Sequence, residues 1–414
     1  MVTDCRMKIA FVSGPLVGVS GGAERALSEV AGALVSRGHD VRVLTPDMPG
    51  RQPFHSYPAS VRILNLGTSP TTAEKRRRRL ARFVHRSRLP RLSRAAGAFA
   101  WEIERAPMAR RLQEHFLSEP ADVAIAFGPL PMAWLAEIDP GCSRLASIRN
   151  NPAHEFQMRK GDPFPYETQR FAAAIGRFDR IAVQLDDYLE WFSPVVRQRL
   201  RVLPNVVHPA PQPEQKTELL AVAIGRLAWQ KRPDLLIDAW MQAAPRLPGW
   251  RLEIYGQGYL RSMLEARIAE AGMSDSLALM GARTDIEPAY ARARVLVHAA
   301  SYEGFPNVVA EALARAVPVI GYADCSGLNA LVRDGVNGCL VQTSDDRAAE
   351  LAEALVSLLS SPEKLDVLGG KGPETMAPYA PEAVIDIWEN LLREMVRSGS
   401  NAVAGSVSQA CGSD

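Results

Sequence analysis

The chain has 414 residues, of which 47% are hydrophobic and 23% are charged, and its 48 Lys+Arg and 46 Asp+Glu residues leave a formal net charge of +2. At roughly 100–200 residues per domain, this length favours two domains or three small ones. The composition excludes a disordered chain, which would have fewer core-forming residues and a more uneven charge. The near-zero net charge, taken alone, also argues against a polyanion-binding protein.

The spacing of the cysteines and the length of the apolar runs indicate in which cellular compartment the protein resides. The five cysteines are scattered and form no Cys-x-x-Cys pair, which argues against a disulfide framework and a zinc knuckle and favours a reducing compartment. No run reaches the roughly 18 apolar residues of a membrane-spanning helix, and the first residues show no signal-peptide pattern. Met7 is as good a candidate start as Met1. The sequence therefore predicts a cytoplasmic protein.

Short apolar runs alternate with amphipathic segments through the first half of the chain. The run at 8–12 ends in Ser-Gly-Pro, as a buried parallel strand does on leaving its sheet. Glycines, a helix at 23–35 and a second strand at 41–44 follow, which makes a βαβ unit with a right-handed crossover. Further strands are predicted at 61–66, 123–127, 145–148 and 181–184.

A proline-rich break precedes a second series of the same kind. Its predicted strands are 219–224, 251–255, 277–280, 295–298 and 317–321, and its predicted helices are 232–242, 259–271, 286–293 and 307–316. The predicted fold class is α/β, with two doubly wound Rossmann-like domains that face a cleft and bind ligands at the carboxyl ends of their strands. The predicted segments are a domain at 1–203, a Pro-rich linker at 204–218, a domain at 219–380, a helix at 381–396 that packs back on the first domain, and a disordered tail at 397–414.

The stretch 301–314, with the sequence SYEGFPNVVAEALA, carries the strongest chemical signal. Gly304 and Pro306 set up a turn that leads into a helix, with the proline near the first helical position. The free N–H groups of Asn307, Val308 and Val309 then form an anion site at the positive end of the helix. This turn therefore predicts a phosphate-binding helix terminus.

Two carboxylates flank that terminus. Glu303 lies before the helix and Glu311 one turn inside it, so one is placed to bind sugar hydroxyls and the other a ribose diol. Two cations, Arg226 and Lys231, follow an earlier strand and complement a diphosphate. Glu303 and Lys231 are both expected at solvent-facing strand ends.

These motifs resemble the family 4 retaining glycosyltransferases of the GT-B fold, over a region from Lys8 to about Leu392. The resemblance implies an acceptor-side first domain and a second domain that binds a nucleotide sugar. The segments that carry it are Gly225-Arg-Leu227 with Lys231, Tyr255-Gly-Gln-Gly258, Gly281, Glu303-Gly-Phe-Pro306, Glu311 and Asp334-Gly-Val-Asn-Gly338.

The resemblance also assigns roles to single residues. Arg226 and Lys231 bind the nucleotide diphosphate and act in catalysis with Glu303, which contacts the donor sugar. Glu311 binds the ribose hydroxyls, and the base lies near Arg283. Many relatives have a glycine directly after the lysine, where this chain has Arg232. The remaining residues predicted at the donor in this half are Gly304, Phe305, Asn307 and Val308.

In the first half, Gly21 and Gly22 are similar to the glycine loop that approaches the diphosphate from the opposite side. Arg149 and Asn150 follow a strand and resemble the Arg-Asn-x-Pro segment of a subgroup that adds hexosamines or galactose-type sugars to polyprenyl-diphosphate carriers. We predict both at the donor, whereas a structural role is favoured for the nearby His154. No Asp-x-Asp metal clamp lies near the two glutamates, so the resemblance requires no metal and no cofactor.

A basic tract at 74–94 contains ten cations and the single anion Glu74. Apolar residues are interleaved with the cations, which is typical of an amphipathic segment on an anionic membrane surface, and a solvated face is the alternative. Nucleic-acid binding is not expected, because stacking aromatics and a known module are missing. The cations predicted to contact the membrane or the acceptor are Arg76, Arg77, Arg78, Arg79 and Arg82.

The sequence thus predicts a cytoplasmic, membrane-peripheral enzyme that moves a hexose or N-acetylhexosamine from a nucleotide diphosphate sugar, a UDP-sugar above all, to a lipid-linked or polysaccharide-precursor acceptor. The anomeric configuration is retained and metal is not needed. Three alternatives stay open: a nucleotide-sugar epimerase, a phosphorylase, and a non-catalytic partner that binds a nucleotide sugar or a lipid. The sugar, the acceptor and the oligomeric state are not defined by the sequence.

Overall fold

The structure is a computed structural model that describes residues 6–69, 72, 76, 79, 90–156, 165–210 and 218–410. The chain divides into two compact units. The first comprises Met1–Pro204 together with Val384–Asp414, and the second comprises Asn205–Ala383. Within the described residues, no helix is both long enough and apolar enough to cross a membrane.

The first unit contains a seven-stranded parallel sheet with the order β3-β2-β1-β4-β5-β6-β7. Every residue of β4 is buried, because crossover helices cover both faces of a doubly wound sheet. The strands are β1 Lys8–Ser13, β2 Asp40–Thr45, β3 Arg62–Asn65, β4 Val123–Phe127, β5 Ser143–Ser147, β6 Arg180–Val183 and β7 Leu200–Val202. The helices are α1 Gly22–Ser36, α2 Pro90–Glu104, α3 Ala106–Ser118, α4 Pro129–Ala136, α5 Pro152–Phe156, α6 Pro165–Ala174 and α7 Pro194–Arg197.

The second unit contains a six-stranded parallel sheet with the order β10-β9-β8-β11-β12-β13. Its strand order reverses between β8 and β11, as that of the first unit does between β1 and β4. The strands are β8 Leu220–Ile224, β9 Arg251–Tyr255, β10 Leu277–Gly281, β11 Val295–His298, β12 Val319–Tyr322 and β13 Gly338–Val341. The helices are α8 Pro233–Ala243, α9 Arg261–Glu270, α10 Glu287–Arg292, α11 Asn307–Ala314, α12 Leu328–Leu331, α13 Arg347–Leu359, α14 Pro362–Gly370 and α15 Gly372–Met376.

A long final helix, α16 Pro381–Ala410, returns the chain to the first unit. Trp388 is fully buried there, with its ring centroid 6.3 Å from that of Phe11 in β1. The helix continues past residue 396, where the sequence analysis expected a disordered tail. No proline interrupts this stretch, and its alanine, serine and valine residues cost a helix little, although two glycines cost more.

The predicted fold class, two parallel doubly wound Rossmann-like domains, is confirmed. Apart from the longer final helix, the predicted elements lie within two residues of the observed ones at either end, and β12 shows one such difference. That strand begins at Val319 rather than at residue 317, because Pro318 has no N–H to donate to a neighbouring strand. The expected linker at 204–218 lies partly outside the described residues, and its described part, 204–210 and 218, contains no helix or strand.

Candidate active site

The candidate site lies in the second unit, where the carboxyl ends of β8 and β11 are adjacent. These strands pair in the sheet, and they flank the point where its order reverses, the usual ligand site of such sheets. The loop after β8 contains a short 3₁₀ turn, Trp229–Lys231, and the loop after β11 leads into α11. Gln230 connects the loops, since its carbonyl accepts the Ser301 N–H at 2.9 Å and its side-chain amide donates to the Tyr302 carbonyl at 3.1 Å.

Glu303 is the central side chain of this site. It is only 6% exposed, its Oε1 forms an ion pair with Lys231 Nζ, and His298 Nε2 lies 3.0 Å from the same oxygen. Burial alone would raise the pKa of this carboxyl group, but Lys231 and His298 outweigh burial and hold the pKa well below its usual range. The site therefore contains a buried carboxylate that stays ionised at neutral pH.

This arrangement corrects two expectations about exposure and role. Glu303 does not face solvent at a strand end, because it turns inward between Lys231 and His298, and the Lys231 side chain is only 19% exposed. His298 ends the predicted strand 295–298, a position that favours a structural role, yet the structure places its ring against Glu303. The available signal was its position, since His298 is the last residue of β11 and precedes Glu303 by a single short loop.

The predicted cation Arg226 is exposed, and its guanidinium donates to the Gln230 side-chain carbonyl at 3.2 Å. It lies at the same strand end as Lys231 but, in contrast to Lys231, forms no ion pair with a described residue. Arg283, predicted near a nucleotide base, is also exposed and follows β10. Both cations are thus accessible to a soluble anion.

Helix α11 begins at Asn307, and Pro306 occupies the capping position before it, one residue earlier than expected. The Asn307 side-chain oxygen accepts a hydrogen bond from the Asn205 amide at 2.6 Å. Phe305 is buried, with its ring centroid 5.3 Å from that of Tyr379. These contacts hold the amino end of the helix, whose first N–H groups have no partner within a helix and so favour an anion.

Glu311 is positioned by a tyrosine that the sequence analysis did not consider. The Tyr290 hydroxyl lies 2.9 Å from Glu311 Oε2 and 3.1 Å from the Val308 carbonyl, and the guanidinium of Arg315 stands 5.2 Å from the tyrosine ring. Since Tyr290 is fully buried, it fixes the half-buried Glu311 carboxylate from the protein side.

A glycine supports the Glu303 segment from behind. The Glu303 N–H donates to the Ser326 carbonyl at 2.9 Å, and the next residue, Gly327, has a φ of 83°. A Cβ atom on Gly327 would lie 2.7 Å from the Gly304 carbonyl oxygen and 3.0 Å from Glu303 Cβ. Only glycine therefore fits at this position without displacing the loop.

In the first unit, Gly21 and Gly22 lie at the start of α1, as expected of a glycine loop. Helix α1 begins at Gly22, Gly21 occupies the capping position, and the Glu24 carboxylate folds back over Gly21. Their predicted contact with a diphosphate stays a prediction.

Arg149 and Asn150 follow β5, but Arg149 does not present an open guanidinium. The group is buried 4.7 Å from the Phe127 ring centroid, with Nη1 at 3.4 Å from both Ser147 Oγ and the Leu203 carbonyl, and burial lowers the pKa of Arg149. Asn150 hydrogen-bonds Glu155, and burial raises the pKa of that carboxyl group to about 7. The predicted donor contact of Arg149 would thus require its side chain to move.

Of the basic tract, Arg77, Arg78 and Arg82 lie outside the described residues, while Arg76 and Arg79 are described and exposed. No group of three or more His, Cys, Asp or Glu side chains suited to hold a metal ion occurs among the residues that the structure describes.

Comparison with known proteins gives this site a family context. Residues 218–361, which contain Arg226, Lys231, Glu303 and Glu311, match the family model described as glycosyl transferases group 1. An exopolysaccharide phosphotransferase of Streptomyces coelicolor is 29% identical over 382 residues, which is 91% of this chain and 40% of that protein.

A second relative is the GtfA subunit of the UDP-N-acetylglucosamine–peptide N-acetylglucosaminyltransferase of Streptococcus gordonii. It is 31% identical over 179 residues, which is 42% of this chain and 35% of that protein. The chain thus spans less than half the length of either relative.

Solved structures agree with the fold at low sequence identity. The crystal structure of S. aureus TarM with fondaparinux, α-GlcNAc-glycerol and UDP has a TM-score of 0.73 at 14% identity, covering 93% of this chain and all of that one. The structure of Anabaena HepE with UDP and glucose has a TM-score of 0.67 at 16% identity, covering 94% of this chain and 99% of that one. These likenesses confirm the GT-B fold class. The family model matches residues 218–361 alone, so this part of the chain is similar to the group 1 glycosyl transferases.

Proposed function

We propose that this chain is a retaining, metal-independent glycosyltransferase that moves a hexose or N-acetylhexosamine from a UDP-sugar to a lipid-linked or polysaccharide-precursor acceptor. One observation carries the proposal: Lys231 and His298 hold the buried Glu303 carboxylate ionised directly before helix α11. An ionised carboxylate beside a helix terminus can accept hydrogen bonds from the hydroxyls of a sugar. The N–H groups of the helix terminus can bind the phosphate of the same sugar donor.

The proposed chemistry assigns the charges as follows. When the bond between the anomeric carbon and the diphosphate oxygen breaks, the diphosphate gains negative charge and the sugar becomes oxocarbenium-like. Arg226, Lys231 and the amino end of α11 stabilise that negative charge. The acceptor oxygen forms its bond on the same face of the sugar, and its proton passes to the departing phosphate oxygen.

Further support for the substrates comes from the names of related proteins. UDP is present in the TarM and HepE structures, and the relative from Streptococcus gordonii is named for UDP-N-acetylglucosamine. The Streptomyces relative is named for exopolysaccharide, which favours a polysaccharide-related acceptor. The exposed Arg76 and Arg79 suit a cytoplasmic, peripheral position on an anionic membrane.

The experiment is a turnover assay with a panel of UDP-, GDP- and ADP-sugars and membrane-lipid or saccharide acceptors, in EDTA and in Mg²⁺. Arg226→Ala tests the site without threatening the fold, because Arg226 is exposed, and Arg333→Ala is its matched control at another exposed arginine of the same unit. We expect Arg226→Ala to lower kcat by about 10²-fold and Arg333→Ala to leave it unchanged. NMR of the product gives the anomeric configuration.

Other outcomes would contradict the proposal. An epimer or a sugar phosphate formed from the donor alone would favour the epimerase or phosphorylase alternatives. Binding of UDP-sugar with no turnover for any acceptor would favour a non-catalytic partner. An inverted anomer or a strict need for Mg²⁺ would overturn the retaining or the metal-independent part.

A further inference from the structure

Three neighbouring strands of the first unit carry an arginine at their amino-terminal ends. Arg144 lies at the start of β5, Arg180 is the first residue of β6, and Arg199 directly precedes β7. The Asp179 N–H donates to the Arg144 carbonyl and the Ile181 N–H to the Arg199 carbonyl, each at 3.0 Å. Since adjacent strands are about 4.8 Å apart, the three arginines stand within roughly 10 Å along one sheet edge.

These arginines line a cavity of about 400 Å³ together with Arg177 and Asp179. Four cations therefore face one anion. Arg180 is ion-paired with Glu394 at 2.7 Å, while Arg144 and Arg199 donate to the Ile138 and Phe178 carbonyls at 3.1 and 2.7 Å.

Arg177, at the end of the turn Ile175–Arg177, is exposed and has neither an ion pair nor a side-chain hydrogen bond among the described residues. Among the described residues, the four arginines of this cavity thus meet two anions, Asp179 and Glu394, which leaves the cavity with a positive net charge. The guanidinium groups repel one another, and an anion that binds among them offsets this repulsion.

We propose that this cavity binds a phosphate or diphosphate group. Guanidinium groups match phosphate oxygens with two parallel hydrogen bonds, and the cavity volume is in the range of small-molecule sites. The site is separate from the donor residues assigned above. It lies at the amino ends of the strands, whereas Arg149 and Asn150 follow the carboxyl end of β5.

The phosphate has two possible sources, a membrane lipid or a soluble diphosphate, and the inference does not depend on the transferase function. Arg177→Glu is the informative variant, because Arg177 forms neither an ion pair nor a side-chain hydrogen bond with a described residue. Arg110→Glu is its matched control, since Arg110 is an exposed arginine on α3 of the same unit with the same charge change.

Binding of inorganic pyrophosphate is measured by calorimetry at low salt with saturating UDP, which occupies the proposed donor site. If the donor site is wrongly assigned, UDP changes nothing and the comparison of the two variants still holds. We expect the wild type and Arg110→Glu to bind equally, and Arg177→Glu to bind about tenfold or more weakly. Sedimentation with phosphatidylcholine vesicles, with and without phosphatidic acid, identifies the source.

If Arg177→Glu loses vesicle binding and Arg110→Glu keeps it, the result supports a lipid phosphate, whether or not Arg177→Glu also loses pyrophosphate binding. Loss of pyrophosphate binding alone supports a soluble diphosphate. The proposal is overturned if Arg177→Glu and Arg110→Glu behave alike in both assays.

Discussion

The Lys231 ammonium group forms an ion pair with the buried Glu303 carboxylate, so the predicted diphosphate cation and the predicted sugar-binding anion are partners in this structure. The pair joins the loops after β8 and β11, and it keeps a carboxylate charged where burial alone would neutralise it. Lys231 therefore has a structural role in addition to its proposed catalytic role. The structural role is measured as stability and the catalytic role as turnover.

The structural role predicts a large loss of stability in Lys231→Ala. Removing one partner leaves Glu303 as an unpaired buried charge, and such losses cost about 3–5 kcal/mol. Denaturant unfolding measures the change. The matched control is Lys371→Ala, whose side chain is 60% exposed and, among the described residues, pairs only with Glu374, one turn away on the surface. The double variant Lys231→Met, Glu303→Gln should recover part of the loss, and equal losses in Lys231→Ala and Lys371→Ala would contradict a buried pair.

The depressed pKa of Glu303 predicts a specific pH dependence. A carboxyl group whose pKa is lower in the folded state contributes stability above its unfolded value, about 4.3, and loses it as pH falls through the folded value. Wild-type protein should therefore exceed Glu303→Gln in unfolding free energy at pH 7, and the difference should shrink below about pH 4. Unfolding curves from pH 7 to pH 3 measure this, with Glu114→Gln, the same substitution at an exposed glutamate, as the control. A constant difference for Glu303→Gln would show that Glu303 is not held ionised.

Tyr290 is predicted to be a positioning residue for Glu311. Its hydroxyl contacts Glu311 Oε2, so Tyr290→Phe removes this contact and should weaken UDP binding about three- to tenfold, the effect of one hydrogen bond. Tyr322→Phe is the control, because it also loses a buried hydroxyl in the second unit, one that donates to the Arg347 carbonyl. Calorimetry with UDP compares them. Equal UDP affinity in the two variants would exclude this role for Tyr290.

The alternating pattern of apolar runs predicted all but one strand of each sheet, because strands covered on both faces form short, continuous apolar runs such as β4 and β11. The strands that it did not predict are β7 and β13, which are short and only partly buried. Helix α3 was missed although Met108, Leu112 and Phe116 recur at helical spacing and are buried. The neighbouring basic tract dominated the interpretation of that region.

The sequence predicted which residues form the site but not which of their side chains are buried. Motif spacing brought Glu303 and Lys231 to one sheet edge, yet the spacing contains no information on which side chain turns inward. That choice depends on His298 and Gly327, which pack on Glu303 from other elements, as Tyr290 does on Glu311. Arg149 shows the same limit, since its guanidinium is placed by the Phe127 ring of the adjacent strand.

Gly327 allows the close packing behind Glu303 to be tested with a well-matched control. An alanine there combines a positive φ with a contact of 2.7 Å to the Gly304 carbonyl oxygen, whereas Gly335 has a φ of 69° and nothing within 4 Å of an added Cβ. Gly335→Ala should cost about 1–2 kcal/mol from backbone conformation alone. Gly327→Ala should cost clearly more, because the Glu303 segment must also shift, and thermal unfolding measures both. In the turnover assay proposed above, Gly327→Ala should also lose activity by about 10²-fold, the effect of a misplacement of roughly 1 Å, while Gly335→Ala retains it. Equal stability and equal activity in the two variants would mean that this glycine does not position Glu303.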